Sequence, residues 1–284
     1  MIIDELVRRR LLATFQQLNT VAAAKAFPAP ATLSKTLEGI VPSTKGAADR
    51  NIDANAASYF ATAAVDIWLR SVHSFLVSAA LSDASPLWAS VSGYYSSHYA
   101  VRGLAHLLGY FQLFRMKRIV QLKLEQGRYI CAFTTKNAGD GEHKLYWKLL
   151  KQTAMFKSNE FFTDNNPDSE TSDVRHRNHA NYADHLSAYP AFRPLEAAAV
   201  RARIDYISKI VFDAPPLPRF SKFPDVEFVQ LIAYHRIVGF RALLDEVLGS
   251  RNRFWNVHRK PGFASGFMDF QLTEAAGLMV ASNS

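Results

Sequence analysis

The chain has 284 residues, of which 49% are hydrophobic and 20% charged, and a formal net charge of +8. That is apolar enough to bury a full-sized core, so a largely disordered chain is excluded, and the length fits one large domain or two modest ones. The single cysteine, Cys131, excludes an intramolecular disulfide and any cysteine-based zinc or iron–sulfur centre, and points to a reducing compartment or to a protein that needs no cross-link.

An amphipathic helix is predicted from Ile3 to about Ala26, ended by the two prolines of FPAPA. This N-terminal stretch lacks the uninterrupted apolar run and small-residue cleavage site of a secretory signal. No charge-free apolar window reaches membrane-spanning length, so a cytoplasmic protein with no membrane partner is expected. Between Ile52 and Leu81, Phe60, Ala64, Trp68, Val72, Phe75 and Ala79 recur at three- and four-residue steps, which predicts a long amphipathic helix. A second begins at Pro86, with Ser85 as N-cap, and runs to about Phe111. The pattern then turns to alternation: Met116–Thr135, with glycine at its centre, reads as an antiparallel β-hairpin that contains Cys131 as a small core residue. Further helices are expected over Glu142–Phe156, Val174–Ser187, Pro194–Phe212 and Asp225–Leu248. The fold class is mainly α, a helical bundle with one inserted β-hairpin. The segments divide into 1–45 (helix and loop), 46–213 (core with a hairpin at about 116–135) and 214–284 (C-terminal helical extension packed on the core).

The positive charge is concentrated. Arg115–Lys157 holds ten Lys or Arg against three acids, and Ser158–Asp173 follows with five acids and no Lys or Arg. Such a boundary either steers a polyanion or forms two mutually neutralising surfaces. Lys144, Lys148 and Lys151 share one side of a predicted helix, either as a solvated face or as an RNA contact.

In DVRHRNHANYADH, Arg175, Asn178, His179 and Tyr182 align on one helical face while Val174, Ala183 and Leu186 can pack elsewhere. A cation, an amide, an imidazole and a phenol suit binding and cleaving a phosphodiester. The same stripe also suits a solvated helix surface. His176, His179 and His185 offer metal ligands, but no HExxH or comparable carboxylate arrangement accompanies them. Neither a glycine-rich phosphate loop nor a GxSxG elbow is present, which argues against an ATPase, a nicotinamide enzyme and an α/β-hydrolase.

The run SGYYSSHYAVRGLAHLLG resembles the first long helix of HEPN (higher eukaryotes and prokaryotes nucleotide-binding) domains, and RHRNHANY resembles their later Arg/His element. Together these cover about 40 of the 284 residues. The second element departs from the family pattern. Arg177-Asn178 matches its opening, but Tyr182 stands where a histidine is expected, and Arg175 and His179 are one residue closer than usual. The resemblance implies a HEPN-like bundle and a metal-independent endoribonuclease of toxin or defence type, without cofactor, using Arg175, Asn178, His179 and Tyr182. Arg177, Lys144, Lys148 and Lys151 would bind RNA. It also implies a homodimer with facing Arg/His helices, and an antitoxin or defence-complex protein as partner. The alternative is a non-catalytic helical RNA-binding or protein-interaction module. Within the first motif, His98 reads either as a hydrogen-bonded core histidine or as a second base, and Tyr94 and Tyr95 either as packing residues or as base-stacking platforms.

Overall fold

The apolar periodicity after Asp53 folds as one 28-residue helix, α1 (Ala54–Leu81), in a computed structural model of the chain. The structure describes residues 50–113, 118–134, 197–213 and 225–249, with Glu5, Arg8, Arg9, Leu12, Ala13, Leu145, Tyr146, Leu149 and Trp255 as single positions. The turn Ser82–Ser85 reverses the chain into α2 (Pro86–Leu107), with Pro86 in the first turn as predicted. Ser85 makes no side-chain cap bond; instead its carbonyl accepts from the Ala89 N–H at 2.9 Å.

Small residues set how closely these helices approach. Ser71 and Ser96 each donate a hydroxyl to the other's carbonyl at 2.7 Å, and the Ser78 hydroxyl bonds the Ala89 carbonyl at 2.6 Å. The third central helix, α4 (Asp225–Leu248), packs on both, and α3 (Ala197–Asp213) lies against α4 and α1. Gln230 joins three of them, donating to the Ser78 carbonyl at 3.0 Å on α1 and accepting from Arg203 Nε at 2.8 Å on α3. The core runs continuously from Phe60, Trp68 and Phe75 on α1 through Leu104 on α2 to Ile237 and Phe240 on α4. Ala63–Leu81 is long and apolar enough to cross a membrane, and here that surface packs against α2 and α4.

At Gly103 the ring of Phe240 occupies the space a Cβ would need. Gly→Ala inside a helix ordinarily gains about 1 kcal/mol of propensity. Here Gly103→Ala is expected to destabilise instead, because overpacking costs about 1–3 kcal/mol. A thermal melt that rises on substitution would contradict this close α2–α4 approach.

The predicted hairpin is present but is only part of a larger sheet. Four antiparallel strands, β1 (Arg50–Ile52), β2 (Tyr110–Leu113), β3 (Arg118–Glu125) and β4 (Arg128–Thr134), lie in the order β1-β4-β3-β2 among the described residues. The β3–β4 turn places Gln126 and Gly127 at φ 50° and 74°, the left-handed pair that matches strand twist. Two expectations are corrected here. The helix expected to start at Ile52 is preceded by β1, and the helix expected to reach Phe111 stops at Leu107. It stops because Gly109, at φ 83°, turns the chain away and its carbonyl accepts from the Leu122 N–H at 2.8 Å. The sheet also does not simply project from the bundle: Val120, Leu122, Tyr129 and the buried Cys131 belong to the helical core.

Glu5, Arg8, Arg9, Leu12 and Ala13 are helical, and Arg8 pairs with Glu246 near the end of α4. Leu145, Tyr146 and Leu149 are helical and buried. The rest of the helices expected over Ile3–Ala26 and Glu142–Phe156, and all of Val174–Ser187, lie outside the described residues.

Candidate functional site

The helix bearing SGYYSSHYAVRGLAHLLG is α2, and its polar residues fall on one face. Tyr94, His98, Arg102 and His106 occupy successive turns at four-residue intervals. Tyr94 and His98 stack with ring centroids 6.3 Å apart and planes 10° from parallel. Tyr146 packs against the next three rungs. Its ring lies 6.3 Å from His98 and 6.1 Å from His106, both edge to face, and the Arg102 guanidinium carbon sits 5.7 Å from its centroid. Such a cation over a phenol ring is attracted by the ring quadrupole.

Burial grades this ladder. Tyr94, His98, His106 and Tyr146 are buried, Arg102 is half-buried, and Arg70, from α1, is exposed. Of the two readings of His98, the core position is the one found, between Tyr94 and Tyr146. Tyr94 is likewise a packing residue, while Tyr95 is half-buried beside Tyr99 at 6.3 Å. Burial holds the His106 imidazole well below the usual histidine range, and Arg102 and Arg70 push it down further. It is therefore neutral at neutral pH, able to accept or donate one hydrogen bond without carrying charge.

Behind this face, Arg236 of α4 is completely buried and donates to Ser97 Oγ. Its neighbour His235 is pushed down to about 4 by burial and by the Arg236 charge. Nearer the end of α4, Arg241 lies 3.8 Å from Asp245, which accepts from the Trp255 indole N–H at 2.8 Å.

The two histidines predict acid sensitivity. Each binds its proton more weakly in the folded chain than the ordinary value of 6.5, so the unfolded chain takes up more protons as pH falls. Stability is therefore retained above pH 6.5 and lost below it; the His235 window runs down to about 4. Each group contributes a slope of up to about 1.4 kcal/mol per pH unit. Urea midpoints at pH 7 and pH 5 should differ, and His235→Gln should shrink that difference. An unchanged difference would remove this account.

None of the sequence-predicted site residues, Arg175, Arg177, Asn178, His179, Tyr182, Lys144, Lys148 and Lys151, lies among the described residues. The structure instead brings Tyr146 against Arg102 and His106, which sequence reasoning did not single out. The four-residue spacing of His98, Arg102 and His106 was the available signal; nothing in the sequence tied Tyr146 to it. Among the described residues no group of three or more His, Cys, Asp or Glu is placed to hold a metal ion. No protein-family model, no curated protein and no solved structure matches the chain.

Proposed function

We propose that the chain is a HEPN-like, metal-independent endoribonuclease of toxin or defence type. One observation carries the reading. The helix with the HEPN-like sequence is a central member of a helical core, and one of its faces gathers two imidazoles and a guanidinium around Tyr146. A protein whose core helix spends three turns on such groups is equipped for an anionic ligand.

In this reading Arg175 holds the scissile phosphate through its planar fork, and His179 accepts the proton of the RNA's own 2′-hydroxyl. Asn178 and Tyr182 orient the phosphate or the hydroxyl. Arg177, Lys144, Lys148 and Lys151 hold the flanking backbone, and a homodimer places two Arg/His helices across one groove. An antitoxin or defence-complex protein would cover that groove. The spacing between Arg175 and His179, one residue short of the family pattern, favours a second reading: a helical module that binds RNA or a protein without cutting.

Incubating the full chain with single-stranded RNA in EDTA separates the two. Cleavage that leaves a cyclic phosphate or its hydrolysis product, with DNA untouched, supports the nuclease, because DNA lacks the attacking hydroxyl. Intact RNA that is nonetheless bound supports the module.

A further inference from the structure

Three aromatic residues of α2 stand at the edge of the packed interior, and they fall on one face. Trp88, Tyr95 and Tyr99, with Ser92 among them, follow steps of four, three and four residues, the spacing of a single helical stripe. Trp88 is 57% exposed, the most exposed large hydrophobic side chain among the described residues, and Ser92, Tyr95 and Tyr99 are half-buried. By contrast, Ala89, Val91, Gly93, Ser96 and Ser97 of the same turns are buried. The Tyr95 and Tyr99 rings lie 6.3 Å apart, with Tyr94 edge-on to Tyr95 at 5.5 Å and His98 beside Tyr99 at 5.9 Å. One exposed aromatic on a surface is ordinary, but an aligned series braced from behind is a surface shaped for a ligand.

Charge selects the ligand. Pro86–Leu107 contains no Asp or Glu. Tyr146, which packs against this helix at His98 and His106, comes from Arg115–Lys157, where ten Lys or Arg stand against three acids. An acid-free aromatic face is thus joined to the segment that holds most of the positive charge. Single-stranded nucleic acid needs both, stacking platforms for its bases and positive potential for its backbone.

We propose that Trp88, Tyr95 and Tyr99 form a stacking platform for the bases of single-stranded RNA. The inference rests on the RNA reading above and adds to it a contact with bases, separate in sequence from the Arg175–Tyr182 stripe. Every base has a π-face, so the platform holds the strand without choosing its sequence. Trp88, with the largest and most exposed ring, makes the greatest contribution.

The test measures the affinity of the full chain for a short oligoadenylate across a salt series, beside the same strand carrying abasic positions. Trp88→Ala should weaken oligoadenylate binding about tenfold, the loss of one stacked base. The salt slope should stay as in wild type, because no phosphate contact is removed. Trp88→Phe should recover most of the affinity. The wild-type chain should bind the abasic strand more weakly than the intact one, and Trp88→Ala should narrow that preference. Oligoadenylate should also quench the tryptophan fluorescence of the wild-type chain, and Trp88→Phe should lose that quench, which the buried Trp68 and Trp255 cannot supply. Equal wild-type affinity for the two strands, with oligoadenylate binding unchanged in Trp88→Ala, overturns the platform while leaving RNA binding intact. Self-association that Trp88→Ala abolishes, with RNA affinity unchanged, assigns the stripe to a second copy of the chain and overturns it too. A wild-type chain with no affinity for either strand overturns the RNA reading and this assignment together.

Discussion

Replacing His179 with alanine is expected to lower RNA cleavage roughly 10²–10⁴-fold while leaving RNA affinity near that of wild type. The asymmetry follows from the role. A general base acts on a proton that moves in the transition state, so its loss raises the barrier without removing a ground-state contact. Histidine suits the task because its ordinary pKa lies close to neutral pH. Neutralising Lys144, Lys148 and Lys151 should do the opposite, weakening binding and flattening its salt dependence with little effect on the rate at saturating RNA. Single-turnover cleavage in EDTA, alongside equilibrium binding, separates the two effects. Cleavage that survives His179→Ala would remove this residue from the mechanism.

Trp68→Ala is expected to cost about 3–5 kcal/mol, a large part of the 5–15 kcal/mol that stabilises a typical domain. Trp68 is fully buried on α1, and its indole N–H donates to the Ile237 carbonyl of α4 at 3.2 Å. Its ring meets Trp255 edge to face at 5.2 Å, so one side chain joins α1, α4 and the segment after α4. Truncation removes all three contacts and leaves a space the size of an indole, which a packed interior closes only in part. Trp68→Phe should recover most of the loss, because a six-membered aromatic ring is kept and a single hydrogen bond contributes about 1 kcal/mol net. Urea unfolding followed by far-ultraviolet circular dichroism measures both variants. A cost below 1 kcal/mol for alanine would show that this junction is not packed as described.

The long helices were legible because their periodicity persists over many turns. Phe60, Trp68 and Phe75 announce α1, and Ser85-Pro86 announces the start of α2. The edge strands were not. β1 is three residues long, and Tyr110 and Phe111 of β2 continue the apolar spacing of α2 beyond Leu107. Only the backbone at Gly109, close against the Leu122 carbonyl, breaks the helix, and a single glycine in a sequence does not reveal that contact. The central place of α4 was equally hidden, since periodicity gives a helix its buried face but not its neighbour. At the site, His98 was visible as a residue of two readings and proved buried. Arg102 and His106 went unread because the small residues around them dominate the motif. Their grouping depends on Tyr146, brought to them from another part of the chain by tertiary packing.

The three residues of β1 stand immediately before α1 in the chain, yet they pair with β4, Arg50 opposite Cys131. The α1–α2 turn and the β3–β4 turn join near neighbours in sequence, whereas this pairing closes a much longer loop at a higher cost in chain entropy. By the entropy of loop closure it forms after those two turns, while the Trp68–Ile237 contact between α1 and α4 closes a still longer loop. Opening it bares a row of amide and carbonyl groups along β4, in a strand rich in β-branched, aromatic and apolar residues, RYICAFT. An uncovered edge of that composition is a template for joining a second copy of itself. In the folded chain Arg50, Asn51 and Ile52 cover that edge.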